Sequence, residues 1–245
     1  MQQVFGAGNM YGLVLSGGVY VPQKFGTLQD VSIDYSFESK MLYGQNQFPV
    51  AIARGKGKIT GKAKFANLQG AVLNNIIFGQ TAAAGQTLFA LAEAGTVPAT
   101  TPWHVTTANA ATFVDDLGVT YAATGLPFTR VASGPTIGQY SEAAGIYTFA
   151  TADASAGVLI DYTYTTAAVG STITLSNQLL GVAPVFQVVL PYKYNGKTYL
   201  TKFNNALSSK LSMATKLDDF MIPEFDMDFA ADASGMLGYI SLSDA

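Results

Sequence analysis

The chain is written largely in a two-residue rhythm. Between Ala53 and Phe65 the even positions Arg54, Lys56, Lys58, Lys62 and Lys64 are basic, with Thr60 in the remaining slot. The odd positions Ala53, Gly55, Gly57, Ile59, Gly61, Ala63 and Phe65 are small or apolar. Successive side chains of a β-strand point to opposite faces, so this rhythm predicts a long strand with all five cations on one face. A helix would scatter them around its circumference, and its three glycines would each cost up to about 1 kcal/mol. Glycine on the apolar face predicts the close approach of another backbone. Upstream, over 29–37, Val31, Ile33, Tyr35 and Phe37 are expected to face a core while Asp30, Ser32, Asp34 and Ser36 face out. Downstream, Glu224, Asp226 and Asp228 alternate with Phe225, Met227 and Phe229, a second strand with a single-sign face, acidic where the first is basic.

One segment breaks the rhythm. In NLQGAVLNNIIFG, Leu68, Val72 and Ile76 recur at helical spacing, Asn67 is placed to cap the start, and Gly79 stands where a terminating glycine belongs. Residues 80–97 are rich in Ala, Gly and Thr and read as a connection, with helix and strand both open. From Pro98 to Thr166 short apolar runs alternate with Gly, Pro, Asn and Asp at roughly ten-residue intervals, the cadence of a small antiparallel sandwich or a cluster of hairpins. The turn Tyr194-Asn195-Gly196-Lys197 follows another apolar run and predicts a hairpin, because Asn-Gly tolerates positive φ at both central positions. The expected architecture is mainly β, a sandwich or half-barrel with one packed helix. Residues 1–97 and 167–245 would form the core, and 98–166 a β-rich inserted or peripheral module.

Composition sharpens this. Charged residues are only 12% of the 245, about half the usual share, so little charge is available to solvate a large surface. An oligomer that hides much of that surface fits. Residues 67–192 hold Arg130 against Glu93, Asp115, Asp116, Glu142, Asp153 and Asp161, a net of −5, while residues 1–66 hold seven basic and three acidic side chains, a net of +4. The overall charge of −3 provides no global field for nucleic acid or anionic lipid. With no cysteine there is no disulfide, thiolate zinc site or cysteine nucleophile. The N-terminal stretch has no secretory signal pattern, and no apolar run is long enough for a membrane helix.

Candidate chemistry is sparse. His104 is the sole histidine, so one chain cannot assemble a histidine metal site, and beside Trp103 in a Pro-rich turn it reads as a loop residue. No G-x-S-x-G elbow occurs, and GKGKITGK lacks the order of a phosphate loop. Asp115-Asp116 and Asp218-Asp219 are adjacent, so in strands they point to opposite faces and form no carboxylate dyad. Neither an enzyme nor a cofactor is expected.

Together, FGTLQDVSIDYSF (25–37), LYGQNQFPVAIARGKGKITGKAKFA (42–66), the helix to Gly79, and KLSMATKLDDFMIPEFDMDFAAD (210–232) resemble the tail-tube (major tail) proteins of long-tailed bacteriophages, over roughly 1–80 and 170–245. The segment 98–166 resembles a variable β insert carried by some members. The resemblance implies a structural virion protein, made in the bacterial cytoplasm, whose hexameric rings stack into the conduit for genome ejection. Its partners would be further copies, the tape-measure protein and other tail proteins, with DNA passing through unbound. A carbohydrate-binding or adhesive β-sandwich is the alternative, resting on 13 Tyr and 15 Phe; a nucleic-acid module would rest on the basic strand alone. On the first reading, Arg54, Lys56, Lys58, Lys62 and Lys64 are expected to meet carboxylates at contacts within or between subunits rather than line the channel. Glu224, Asp226 and Asp228 are expected as channel wall or as their partners.

Overall fold

A computed structural model describes residues 6–67, 69–215 and 217–243. In chain order the strands are β1 (Tyr11–Ser16), β2 (Val19–Lys24), β3 (Leu28–Tyr43), β4 (Pro49–Phe65), β5 (Ala82–Thr96), β6 (His104–Thr106), β7 (Phe113–Tyr121), β8 (Thr129–Arg130), β9 (Gln139–Ala143), β10 (Ile146–Phe149), β11 (Gly157–Ile173), β12 (Val185–Tyr194), β13 (Lys197–Ser212), β14 (Glu224–Ala230) and β15 (Gly238–Leu242). The helix α1 (Gly70–Leu73) continues as a π-helical turn over Asn74–Phe78. The protein is mainly β, and none of its sheets is closed.

The chain divides into two compact units, Met1–Ala82 with Ile173–Ala245, and Ala83–Thr172. The first is one sheet in the order β2-β1-β12-β13-β14-β4-β3, with β15 also paired to β13. Its core is the face carrying Phe186, Val188, Leu190, Phe203, Phe225 and Met227, on which the helix lays Ile76. The helix can come this close because position 12 is glycine: a Cβ there would stand 2.7 Å from the Ile76 Cδ1. Gly79 ends the helix in the left-handed region, φ 59°, as its position predicts. Asn67, expected as the cap, does not cap. Its Oδ1 accepts the Thr27 backbone N–H at 2.7 Å, tying the start of β3 to the end of β4, and the helix begins after Gln69. Leu68 lies outside the described residues.

The expected hairpin at Asn195-Gly196 is present, with both residues at positive φ (48° and 75°), and it joins β12 to β13. The glycines of β4 admit side chains rather than a second backbone. A Cβ at Gly61 would lie about 3 Å from Met227 and Phe229, and one at Gly57 would press on the Phe37 ring.

The second unit packs the sheets β5-β11-β7 and β6-β10-β9-β8 on a core of its own that includes Tyr147, Phe149, Val158, Ile160 and Tyr162. β7 pairs antiparallel with β11, and β10 with both β6 and β9, whereas β8 runs parallel to β9. The unit is wider than 98–166, because 80–97, expected as a connection, is mostly strand β5. His104 likewise opens strand β6, paired with Thr148, instead of sitting in a loop. Entry and exit run side by side in this unit: the Thr172 Oγ1 donates to the Gly85 carbonyl oxygen at 2.9 Å.

Candidate functional site

The two single-sign strands are neighbours. β14 pairs antiparallel with β4, placing Glu224 opposite Lys64, Asp226 opposite Lys62 and Asp228 opposite Thr60. On its other side β4 pairs with β3, which sets Asp30 opposite Lys64, Ser32 opposite Lys62, Asp34 opposite Thr60 and Ser36 opposite Lys58. Across β14, Lys210 of β13 stands opposite Asp226. The face turned away from the core therefore alternates in sign strand by strand: acidic β3, basic β4, acidic β14, basic β13. The Lys58 Nζ approaches the Asp228 Oδ1 at 3.3 Å. Asp226, between Lys62 and Lys210 in register, keeps its Oδ1 buried without a hydrogen bond. Because Lys58 is well exposed, each such pair contributes only about 0.2–1 kcal/mol, and the lattice matters more as a surface than as a stabiliser.

Arg54 is not part of it. Between the pairs Phe37–Gly57 and Ser39–Arg54 the register shifts, since β4 spends one more residue than β3. Such a bulge reverses parity beyond it. Gly55 turns toward Glu38 and Lys40, and the Arg54 guanidinium lies 4.1 Å over the Phe37 ring. Arg54 thus occupies the apolar face, opposite Lys56 to Lys64. On the polar face beyond the lattice, Lys40 pairs with Glu38 at 2.9 Å.

The residues of β4 before Thr60 pair only with β3, so the two strands continue as a two-stranded arm. Its apolar face carries Tyr35, Phe37, Met41 and Tyr43 of β3 and Ile52 of β4, each between 45% and 66% exposed. The Tyr43 hydroxyl donates to the Met41 sulfur at 3.4 Å along this face. Tyr35 and Phe37 have the parity expected of core residues; Tyr35 sits at the rim of the core, its ring 6.4 Å from that of Phe203, and Phe37 lies beyond it. The first unit leaves other large apolar side chains uncovered, including Leu15, Tyr20 and Val185, which lie on the lattice face of the sheet at its β2-β1-β12 side.

A second constellation, which the sequence did not single out, lies inside the second unit. The Asp116 carboxylate accepts from the Tyr140 hydroxyl (2.6 Å), the Tyr147 hydroxyl (3.0 Å) and the Gly118 N–H (3.0 Å). Arg130 reaches Asp116 at 3.4 Å and Glu142 at 2.7 Å. The Tyr121 hydroxyl donates to Asp153 at 2.6 Å. Burial first, and hydrogen bonding and charge from Asp116 second, push the Tyr140 and Tyr147 hydroxyls well above the ordinary tyrosine range. Burial and Asp153 push Tyr121 up to about 12. Phenols held this firmly protonated are hydrogen-bond donors that lock strands together, not bases.

Among the described residues no cluster of three or more His, Cys, Asp or Glu side chains is arranged to hold a metal. No helix among them is long and apolar enough to cross a membrane. No protein-family model matches the chain, and no curated protein does.

Proposed function

We propose that this chain is a structural protein of the tail tube of a long-tailed bacteriophage, and that its copies close into hexameric rings which stack into the conduit for the genome. The observation that carries this reading is the arm: a two-stranded ribbon whose apolar face leaves Phe37, Met41, Tyr43 and Ile52 half exposed or more. Covering four half-exposed side chains is worth about 3–6 kcal/mol at roughly 1.5–3 kcal/mol for each full burial. A monomer forgoes that gain. Among the described residues the sheet also ends in two edge strands, β2 and the 16-residue β3, each paired on one side, and a ring of sheets removes such edges. Leu15, Tyr20 and Val185 supply further apolar contact area near the β2 edge.

Sedimentation of the purified protein over a wide concentration range, with electron microscopy of the concentrated sample, tests the reading. Rings or tubes are expected. Met41→Asp with Ile52→Asp, both at exposed positions, should leave the monomer folded and abolish assembly. A wild-type chain that stays monomeric throughout, with and without other tail components, overturns the proposal.

One observation favours the carbohydrate-binding alternative. An open groove of about 630 Å3 on the first unit is lined by Tyr35, Tyr192 and Tyr199. Tyr192 and Tyr199, however, pack edge to face on each other at 5.6 Å, which leaves less free ring face for a sugar. Saturable glycan binding by a monodisperse protein would favour that reading over the tube.

A further inference from the structure

We infer that the groove between the β1-β2 hairpin, the end of the helix and the segment 178–185 is a binding site for a neutral saccharide. The inference does not rest on the tail-tube reading. The groove has a volume of about 490 Å3, within the roughly 300–1,000 Å3 usual for small-ligand sites. It lies on the face of the sheet that the helix covers, away from the charged lattice. Gln23 stands opposite Gly12, the position that admits Ile76, and Val21 stands opposite Val14. The walls are fixed by hydrogen bonds. Asn74, 6% exposed, accepts the Gln80 N–H at 3.1 Å through its Oδ1 and donates through its Nδ2 to the Gln80 carbonyl oxygen. The Gln80 Oε1 in turn accepts the Ser176 hydroxyl at 3.0 Å, tying the helix end to the segment that leads into Gln178. Gly79 closes the corner, since a Cβ there would stand 2.9 Å from the Pro184 Cγ.

The chemistry of the lining selects the ligand. Four carboxamides, those of Gln23, Asn75, Gln80 and Gln178, share the groove with apolar surface that includes Val21 and Phe78. Among the described residues nothing hydrogen-bonds the carboxamides of Gln23, Asn75 and Gln178. Each carboxamide offers a donor and an acceptor, which matches a sugar hydroxyl, itself both. The apolar surface suits the C–H faces of the sugar ring, in the way small-ligand sites hold an apolar body and orient it by a few polar groups. No charged residue lines the groove. Residues 1–23, 65–92 and 162–192, the three stretches that build it, contain no Asp, Glu, Lys or Arg. Lys24, next to Gln23, belongs to the other face, in the row of Tyr11. A phosphate, carboxylate or sulfate therefore finds no counter-charge. An extended peptide fits less well. It would pair with the free edge of β2, whose backbone groups lie in the plane of the sheet, whereas the carboxamides come from three separate elements and meet above one face.

The full chain is titrated with the neutral trisaccharides of glucose, mannose and N-acetylglucosamine, and with the trisaccharide of galacturonic acid as a charged comparison. Binding is read by saturation-transfer NMR. Saturable binding of at least one neutral trisaccharide is expected, with a Kd of about 1 mM, because an open groove covers one side of its ligand. Gln23→Ala and Gln178→Ala remove carboxamides that hold nothing within the chain. Each should raise Kd about three- to tenfold and leave Tm nearly unchanged. No saturation by any neutral trisaccharide, tighter binding of the charged one, or an unchanged Kd in the double variant overturns the assignment.

The absence of cysteine supplies a second readout. Gln178→Cys puts the single thiol of the chain at the groove. Coupled to a bulky maleimide, it should abolish sugar binding; binding that survives places the sugar elsewhere and overturns the assignment. A thiol that becomes unreactive as the protein is concentrated, with sugar binding lost in parallel, shows the groove to be filled by a second copy and overturns it as well. Sedimentation reads assembly separately. A protein that binds the sugar and never assembles refutes the tail-tube reading and leaves this assignment standing, and one that assembles without binding does the reverse.

Discussion

Arg130→Met removes the only Lys or Arg of the second unit and leaves two carboxylates without it. The side chains of Asp116 and Glu142 are 2% and 6% exposed, whereas Arg130 is 51% exposed. Breaking a fully buried pair costs about 3–5 kcal/mol, and an exposed pair about 0.2–1 kcal/mol, so a half-exposed guanidinium belongs between these limits. The two carboxylates are not left equal. Asp116 keeps the Tyr140 and Tyr147 hydroxyls and the Gly118 N–H, but the remaining hydrogen bond of Glu142 is to the Gly145 N–H at 3.0 Å. The loss therefore falls mainly on Glu142, and a hydrogen bond to a charged group gives about 1.5–3 kcal/mol for it. For a unit of this size each kcal/mol lowers Tm by about 4–8 °C, so a fall of roughly 6–24 °C is expected. Trp103, the single tryptophan, packs against the core of this unit, and its fluorescence follows the melting of that unit within the full chain. Glu142→Gln added to Arg130→Met should recover much of the loss by removing the stranded charge. A Tm within about 2 °C of wild type for Arg130→Met, where about 6–24 °C is expected, would refute the reasoning. So would a double variant no more stable than the single.

Two further outcomes follow from the same unit. The Tyr121 hydroxyl is raised in the folded state, so its contribution to stability is complete below the ordinary value near 10 and is lost as pH climbs toward about 12; Tyr140 and Tyr147 act in the same direction. A pH titration of Trp103 fluorescence upward from neutrality should show the second unit loosening only in that alkaline window, and loosening between about pH 7 and 9 would contradict it. Replacing 83–172 by a short Gly/Ser linker should leave the first unit folding cooperatively and still assembling, as read by denaturant unfolding and sedimentation, whereas loss of cooperative unfolding would show the unit to be integral.

The parity of β4 and β14 is written in their residues, and so are the helix, its terminating glycine and the Asn-Gly hairpin. Their neighbourhood is not. Lys62 and Asp226 are far apart in sequence, and only the strand order brings the two single-sign faces onto one sheet. The bulge that removes Arg54 from its apparent stripe was hidden by the regularity of GKGK, because a register shift is decided by the partner strand and leaves no mark in the alternation. The stretch AAAGQTLFALAEAGT has few β-branched residues, and pairing with β11 imposes its strand. Asp116, Arg130 and Glu142 stood as scattered charges until β7, β8 and β9 met. The lone arginine among six carboxylates was the available signal.

The adjacent entry and exit of the second unit also bear on how such a chain can change. Strands paired in a sheet lie about 4.8 Å apart, so whatever occupies 83–172 presents the first unit with two ends separated by one ladder step, already bonded through Thr172 and Gly85. Any domain whose own termini meet at that distance can be exchanged into the joint without altering the register on either side. The joint is therefore a socket, open to recombination in nature and to the grafting of an epitope or enzyme that would then be repeated once per copy.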